Sequence, residues 1–164
     1  MKVANLMKVA REKLSVFEEA AVARALAVRE HAYAPYSEYK VGAAVVSRAG
    51  NVYVGVNTEN HIYVTPHAEM NACAAMNAGG EHEFNVIAIA AANGGIPCGL
   101  CLQVIREWAR DDLAKTIVLG ASLSEPNLVV RCTLEEALQV TDSFGPRDLE
   151  PYVVELAKLR SKMR

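Results

Sequence analysis

At 164 residues, with 52% hydrophobic and 22% charged residues, the chain can build one domain around a sizeable core and is too apolar to be disordered. A net charge of −2 argues against a nucleic-acid partner, because proteins that grip a phosphate backbone carry a basic stripe. No apolar run is long enough to span a membrane, no signal peptide is legible at the N-terminus, and four cysteines do not make a disulfide scaffold, so a cytoplasmic location is expected.

Residues 1–14 read as an extension outside the core, and 15–164 as a single domain. Ser15 and Glu18 form a capping-box pattern that opens a helix, which must end before Pro35. Lys40 to Ser47 reads as a strand, Arg48-Ala49-Gly50-Asn51 as a turn and Val52 to Val56 as the returning strand. A polar loop from Asn57 to Pro66 precedes a helix from about His67 to Ala78, closed by Gly79-Gly80. Phe84 to Ala92 is almost wholly apolar, the pattern of a strand buried on both faces. The loop Asn93 to Pro97 leads to a helix from about Cys98 to Arg110. Strands follow at Lys115 to Ala121 and Leu128 to Arg131. Thr133 and Glu136 cap a short helix, and Leu149 to Leu159 reads as a last one, with Pro151 in its first turn. Lys158, Arg160, Lys162 and Arg164 then read as a solvated terminal turn that complements the helix dipole. This order implies an α/β fold with a mixed sheet of about five strands and helices on its faces.

Two short segments concentrate the chemistry. His67-Ala68-Glu69 and Pro97-Cys98-Gly99-Leu100-Cys101 together offer one imidazole and two thiolates. That set suits a zinc ion with one open position, and its charge cancels that of the metal. Each segment follows a loop and opens a helix, where unpaired N–H groups and the helix dipole favour thiolates. Cys98 and Cys101 are three apart and share a helix face. Glu69 need not bind the metal and can carry protons. A structural zinc site would close all four positions, but His31, His61, His82, Cys73 and Cys132 stand at no ligand-like spacing from the motif. A thioredoxin-like dithiol would leave His67 and Glu69 unexplained. Cys73 and Cys132 read as small buried hydrophobes.

The ordered pair H-x-E and P-C-x-x-C is the signature of zinc nucleobase deaminases. The chain resembles, over about residues 15–150, the zinc-dependent cytidine deaminases of nucleoside salvage. Ala34-Pro35-Tyr36-Ser37-Glu38-Tyr39-Lys40-Val41-Gly42-Ala43-Ala44, Gly55-Val56-Asn57-Thr58-Glu59-Asn60 and Ser143-Phe144-Gly145-Pro146 extend the likeness. The resemblance implies a three-layer α/β/α sandwich around a mixed five-stranded sheet, one zinc per chain, and a homotetramer with shared active sites. It implies His67, Cys98 and Cys101 as metal ligands and Glu69 as the catalytic acid–base. Asn57 and Glu59 would then bind the sugar hydroxyls, Tyr39 and Ala68 would line the pocket, and Phe144 would reach a neighbouring subunit's base. The reaction implied is hydrolytic deamination of cytidine or 2′-deoxycytidine.

Four positions depart from the family pattern. His67 stands where many small members have a third cysteine, and Met70 where they have arginine; the neutral ligand set removes the need for that arginine. Leu102 also replaces an arginine, and this argument covers it only in part. His61 adds bulk beside the sugar-binding segment and is expected to bind substrate, touching the sugar or the space beyond it. These departures motivate an alternative substrate, a modified cytosine nucleoside such as a blasticidin-type antibiotic or an N4- or 5-substituted cytidine. A non-enzymatic zinc module is the alternative of another class, and Glu69 argues against it.

Overall fold

The computed structural model describes residues 6–62, 64–109 and 112–142. The Ser143–Pro146 segment with Phe144, the helix expected at Leu149–Leu159 and the terminal basic residues lie outside the described residues.

The strands are β1 (Met7–Ala10), β2 (Gly42–Ser47), β3 (Val52–Val56), β4 (Phe84–Ala91), β5 (Ile117–Ser122) and β6 (Leu128–Thr133). The helices are α1 (Val16–Arg29), α2 (Ala68–Ala78), α3 (Gly99–Ala109) and α4 (Leu134–Asp142). The six strands form one sheet in the order β1-β6-β5-β4-β2-β3. β4 and β5 run parallel; the other neighbours are antiparallel.

Side-chain alternation along the strands splits the interior in two. Ala43, Val45, Ile87 and Ile89 point into a core shared with α2, α3 and α4. Ala44, Val46, Val86, Ala88 and Ala90 point to the opposite face, against Ala21, Val22 and Ala25 of α1. This is the two-residue period of a sheet covered on both faces. The result is the expected α/β/α sandwich.

Local signals set the helix ends. Ser15 Oγ accepts from Glu18 N, while Glu18 Oε2 accepts from Ser15 N at 2.8 Å, closing the capping box at the start of α1. Thr133 and Glu136 repeat the motif at α4, with Thr133 N donating to Glu136 Oε2 at 2.8 Å and Glu136 N to Thr133 Oγ1 at 3.2 Å.

Among the described residues the sheet has six strands where five were expected. The sixth, β1, comes from the segment read as an extension outside the core. Met7 to Ala10 pair with Arg131 to Leu128 of β6 at the sheet edge. Lys8 Nζ to Glu125 Oε2 at 2.5 Å and Arg11 to Glu19 at 2.6 Å fasten it. Its pairing partner lies more than a hundred residues away, so no local pattern announces it. Among the described residues, no helix is long and apolar enough to cross a membrane.

Candidate active site

α2 and α3 lie side by side and present their N-termini to one pocket. The close seat of α2 on the sheet depends on Gly55 of β3, where a Cβ would stand 2.3 Å from the backbone nitrogen of Ala72. His67 is the N-cap residue of α2, but its side chain makes no capping bond, so the imidazole is left for other partners. On α3, Leu102 N donates to Cys98 O at 2.9 Å, which forms the turn carrying both cysteines.

The three expected ligands converge. His67 Nδ1 lies 3.5 Å from Cys98 Sγ and 3.2 Å from Cys101 Sγ. All three donor atoms fall within 4.8 Å of one another, and among the described residues no fourth His, Cys, Asp or Glu joins the cluster. Three donors with no fourth is the composition of a catalytic zinc site rather than a closed structural one. Burial, then the Glu69 and Cys98 groups, push the Cys101 thiol well up from its ordinary value. A thiolate there needs a cation beside it, which a divalent ion against these donors supplies. The residues present therefore fit zinc.

Glu69 sits in the first turn of α2 and is only 5% exposed. It lines the same pocket as His67, Ala68 and Cys98, yet stands outside the ligand cluster. A buried carboxylate beside the ligands is free to move protons.

The cavity holds about 470 Å³ and opens beyond the carboxyl end of β4, beside its parallel pair with β5. Tyr39, Asn57, Glu59 and Ala68 line it, as expected. Asn57 and Glu59 also brace the lead-in to β2. Asn57 Oδ1 accepts from Val41 N at 2.8 Å, and its Nδ2 donates to Tyr39 O at 2.9 Å. Glu59 accepts from the backbone nitrogens of Tyr36 at 2.9 Å and Ser37 at 3.1 Å, and from the Ser37 hydroxyl. The Ser37 hydroxyl leads in holding the Glu59 carboxyl below the usual carboxylate range; burial opposes it, and the Tyr36 and Ser37 N–H groups assist.

His61 is not brought into this group. It is exposed, in a turn organised by Asn60, whose Oδ1 accepts from Ile62 N at 3.1 Å and whose amide donates to Val64 O. It does not line the cavity. Phe144 lies outside the described residues. Ser37, Thr65 and Ile96 line the cavity without having been singled out. Ser37 stood inside a quoted motif, but its tie to Glu59 spans 22 residues and is invisible to local patterning.

Comparison with known proteins points to one family. The family model described as the cytidine and deoxycytidylate deaminase zinc-binding region matches residues 15–119. The chain belongs to that family, and His67, Cys98 and Cys101 are positioned to hold its zinc. It is 38% identical over 98 residues to a cytidine deaminase of Sporosarcina psychrophila, covering 58% of this chain and 72% of that one. It is also 38% identical over 94 residues to a cytidine deaminase of Halalkalibacterium halodurans, covering 56% and 71%. Among solved structures, the cytidine deaminase from Burkholderia pseudomallei superposes with a TM-score of 0.66 at 32% identity, covering 75% of this chain and 95% of that one. The cytidine deaminase from Mycobacterium leprae does so with a TM-score of 0.64 at 25% identity, covering 76% and 98%.

Proposed function

We propose that this chain hydrolyses cytidine or 2′-deoxycytidine to the corresponding uridine nucleoside and ammonia, as an enzyme of pyrimidine salvage. The supporting observation is the meeting of His67, Cys98 and Cys101 in one pocket with the buried Glu69 carboxylate beside them. When bound, zinc lowers the pKa of a water ligand to about 7 and so supplies a nucleophile near neutral pH.

Glu69 moves the protons. It takes one from the attacking water and gives it to the ring nitrogen of the base, then takes the second from the same oxygen and delivers it to the exocyclic amine. The water oxygen bonds to C4, the C4–N4 bond breaks, and ammonia leaves. Ala68 places the backbone between ligand and proton carrier at the pocket wall. Asn57 and Glu59 keep spare hydrogen-bonding capacity after bracing residues 36–41, and this capacity serves the sugar hydroxyls. Tyr39 packs at the mouth, and Phe144 reaches the base in a neighbouring subunit of a homotetramer. The acidic balance and the reducing needs of the thiolates support a cytoplasmic enzyme without a nucleic-acid partner.

Plain nucleosides are favoured over modified ones by where the departing residues fall. Leu102 is fully buried in the core, and neither it, Met70 nor His61 lines the cavity. Ammonia release measured over a panel of plain and modified cytosine nucleosides tests the reading. Cytidine or 2′-deoxycytidine should be the best substrate. Preference for a modified nucleoside, or no release from any, would overturn it.

A further inference from the structure

Tyr39 and Asn93 are 54 residues apart in sequence, yet the Tyr39 hydroxyl donates to Asn93 Oδ1 at 2.7 Å. The sheet explains the meeting. β2 and β4 pair antiparallel with Gly42 opposite Ala90. Continuing that register past the end of both strands sets Tyr39 opposite Asn93. The backbone ladder stops, and a side-chain hydrogen bond takes over at the lip of the cavity.

Each partner belongs to a wall of that cavity. Tyr39 lines it directly, from the segment braced by Asn57 and Glu59. Asn93 precedes Gly94 and Gly95, which line it from the other side. The 93–97 loop is itself pressed onto the sheet: a Cβ on Gly120 of β5 would stand 2.0 Å from the Gly95 carbonyl oxygen. With one wall held by the sheet, the bond to Asn93 fixes where the Tyr39 ring stands over the pocket.

We propose that Asn93 is a positioning residue that clasps Tyr39 across the pocket mouth and thereby sets the affinity for the nucleoside. The clasp rests on the proposed function for its ligand, but not for its geometry. Asn93 touches no reacting atom, so its loss should act on binding rather than on chemistry. Both residues are exposed, so the effect is at most that of one neutral hydrogen bond.

The test uses the zinc-loaded enzyme with Tyr39→Phe, Asn93→Ala, the double variant and Asn93→Asp. Tyr39→Phe and Asn93→Ala should each raise KM for cytidine by about two- to tenfold, the range one such bond supports, with kcat changed less than that. The double variant should be no worse than the weaker single variant, because both remove the same bond. Asn93→Asp still offers an acceptor and should restore the parent KM. Hydrogen exchange over residues 36–41 and 92–97 gives a readout independent of turnover: it should speed up in the two single variants and not in Asn93→Asp. Multiplying KM effects, an Asn93→Asp as impaired as Asn93→Ala, or unchanged exchange in these segments would overturn the clasp. A parent enzyme inactive on cytidine would instead strike the proposed function, and exchange alone would then decide the clasp.

Discussion

Cys101 Sγ lies 3.2 Å from His67 Nδ1, across 34 residues of sequence and from the first turn of a different helix. Two helix N-termini meeting at this point make a three-donor site from pieces that are each commonplace. The same meeting brings Glu69 to the pocket without making it a ligand.

The purified protein should carry about one zinc per chain, and His67→Ala, Cys98→Ala and Cys101→Ala should each lose it. Elemental analysis of the four proteins checks this. Full zinc in all three variants would remove the site assignment.

Glu69→Gln should keep the fold and the zinc, since Glu69 stands outside the ligand cluster. It should lose about 10⁴-fold in kcat, the upper end for a general acid–base group, because the same carboxylate serves two proton transfers. Steady-state kinetics beside a zinc determination separates this from metal loss. A variant that keeps zinc and most of its activity would refute the role.

The thiols should divide into two classes. Burial, aided by Glu69, pushes Cys73 up to about 12, and burial, aided by Glu136, pushes Cys132 up to about 11, so both stay protonated at neutral pH. Mass spectrometry after iodoacetamide treatment of the folded, chelator-stripped protein should find label on the exposed Cys98 and none on Cys73 or Cys132. Zinc should protect Cys98. Label at Cys73 in the folded protein would contradict the burial.

Glu18 ties α1 to β6 through Arg131, with an N–O distance of 2.9 Å, while capping its own helix. Burial alone would raise its pKa, but hydrogen bonds from the Ser15 backbone and hydroxyl and from Arg131 outweigh it and hold the carboxyl below its ordinary 4.5. A depressed folded-state pKa stabilises fully above the unfolded value and is lost as pH falls through the folded one. Glu18→Gln should therefore cost about 1–2 kcal/mol at pH 7, lowering Tm by about 2–4 °C per kcal/mol. The gap between parent and variant should narrow below about pH 4.5. Thermal melts at pH 7 and pH 3.5 measure it; a gap that widens in acid would reverse the assignment.

If Phe144 completes a neighbour's pocket, the protein in solution should have the mass of a homotetramer by light scattering. Phe144→Ala should then raise KM and leave the zinc content alone. A monomer with full activity would contradict shared sites.

What the sequence determined by itself was local or chemical. Ser15 with Glu18 and Thr133 with Glu136 mark helix starts because a cap is satisfied within four residues. His67, Cys98 and Cys101 declare a metal because one imidazole and two thiolates, taken together, make a ligand set that a dithiol alone leaves unexplained. The apolar run of β4 declares a central strand because both its faces are covered. Tertiary structure decided the rest. It drew Met7–Ala10 into the sheet beside Arg131–Leu128, since a short edge strand draws its stability from a partner rather than from its own residues. It set His61 in an exposed turn and Leu102 in the core, because loop path and helix facing depend on neighbours that the local sequence does not name. It also placed Tyr39 over Asn93, because only the register of β2 against β4 fixes which residues meet beyond the strand ends.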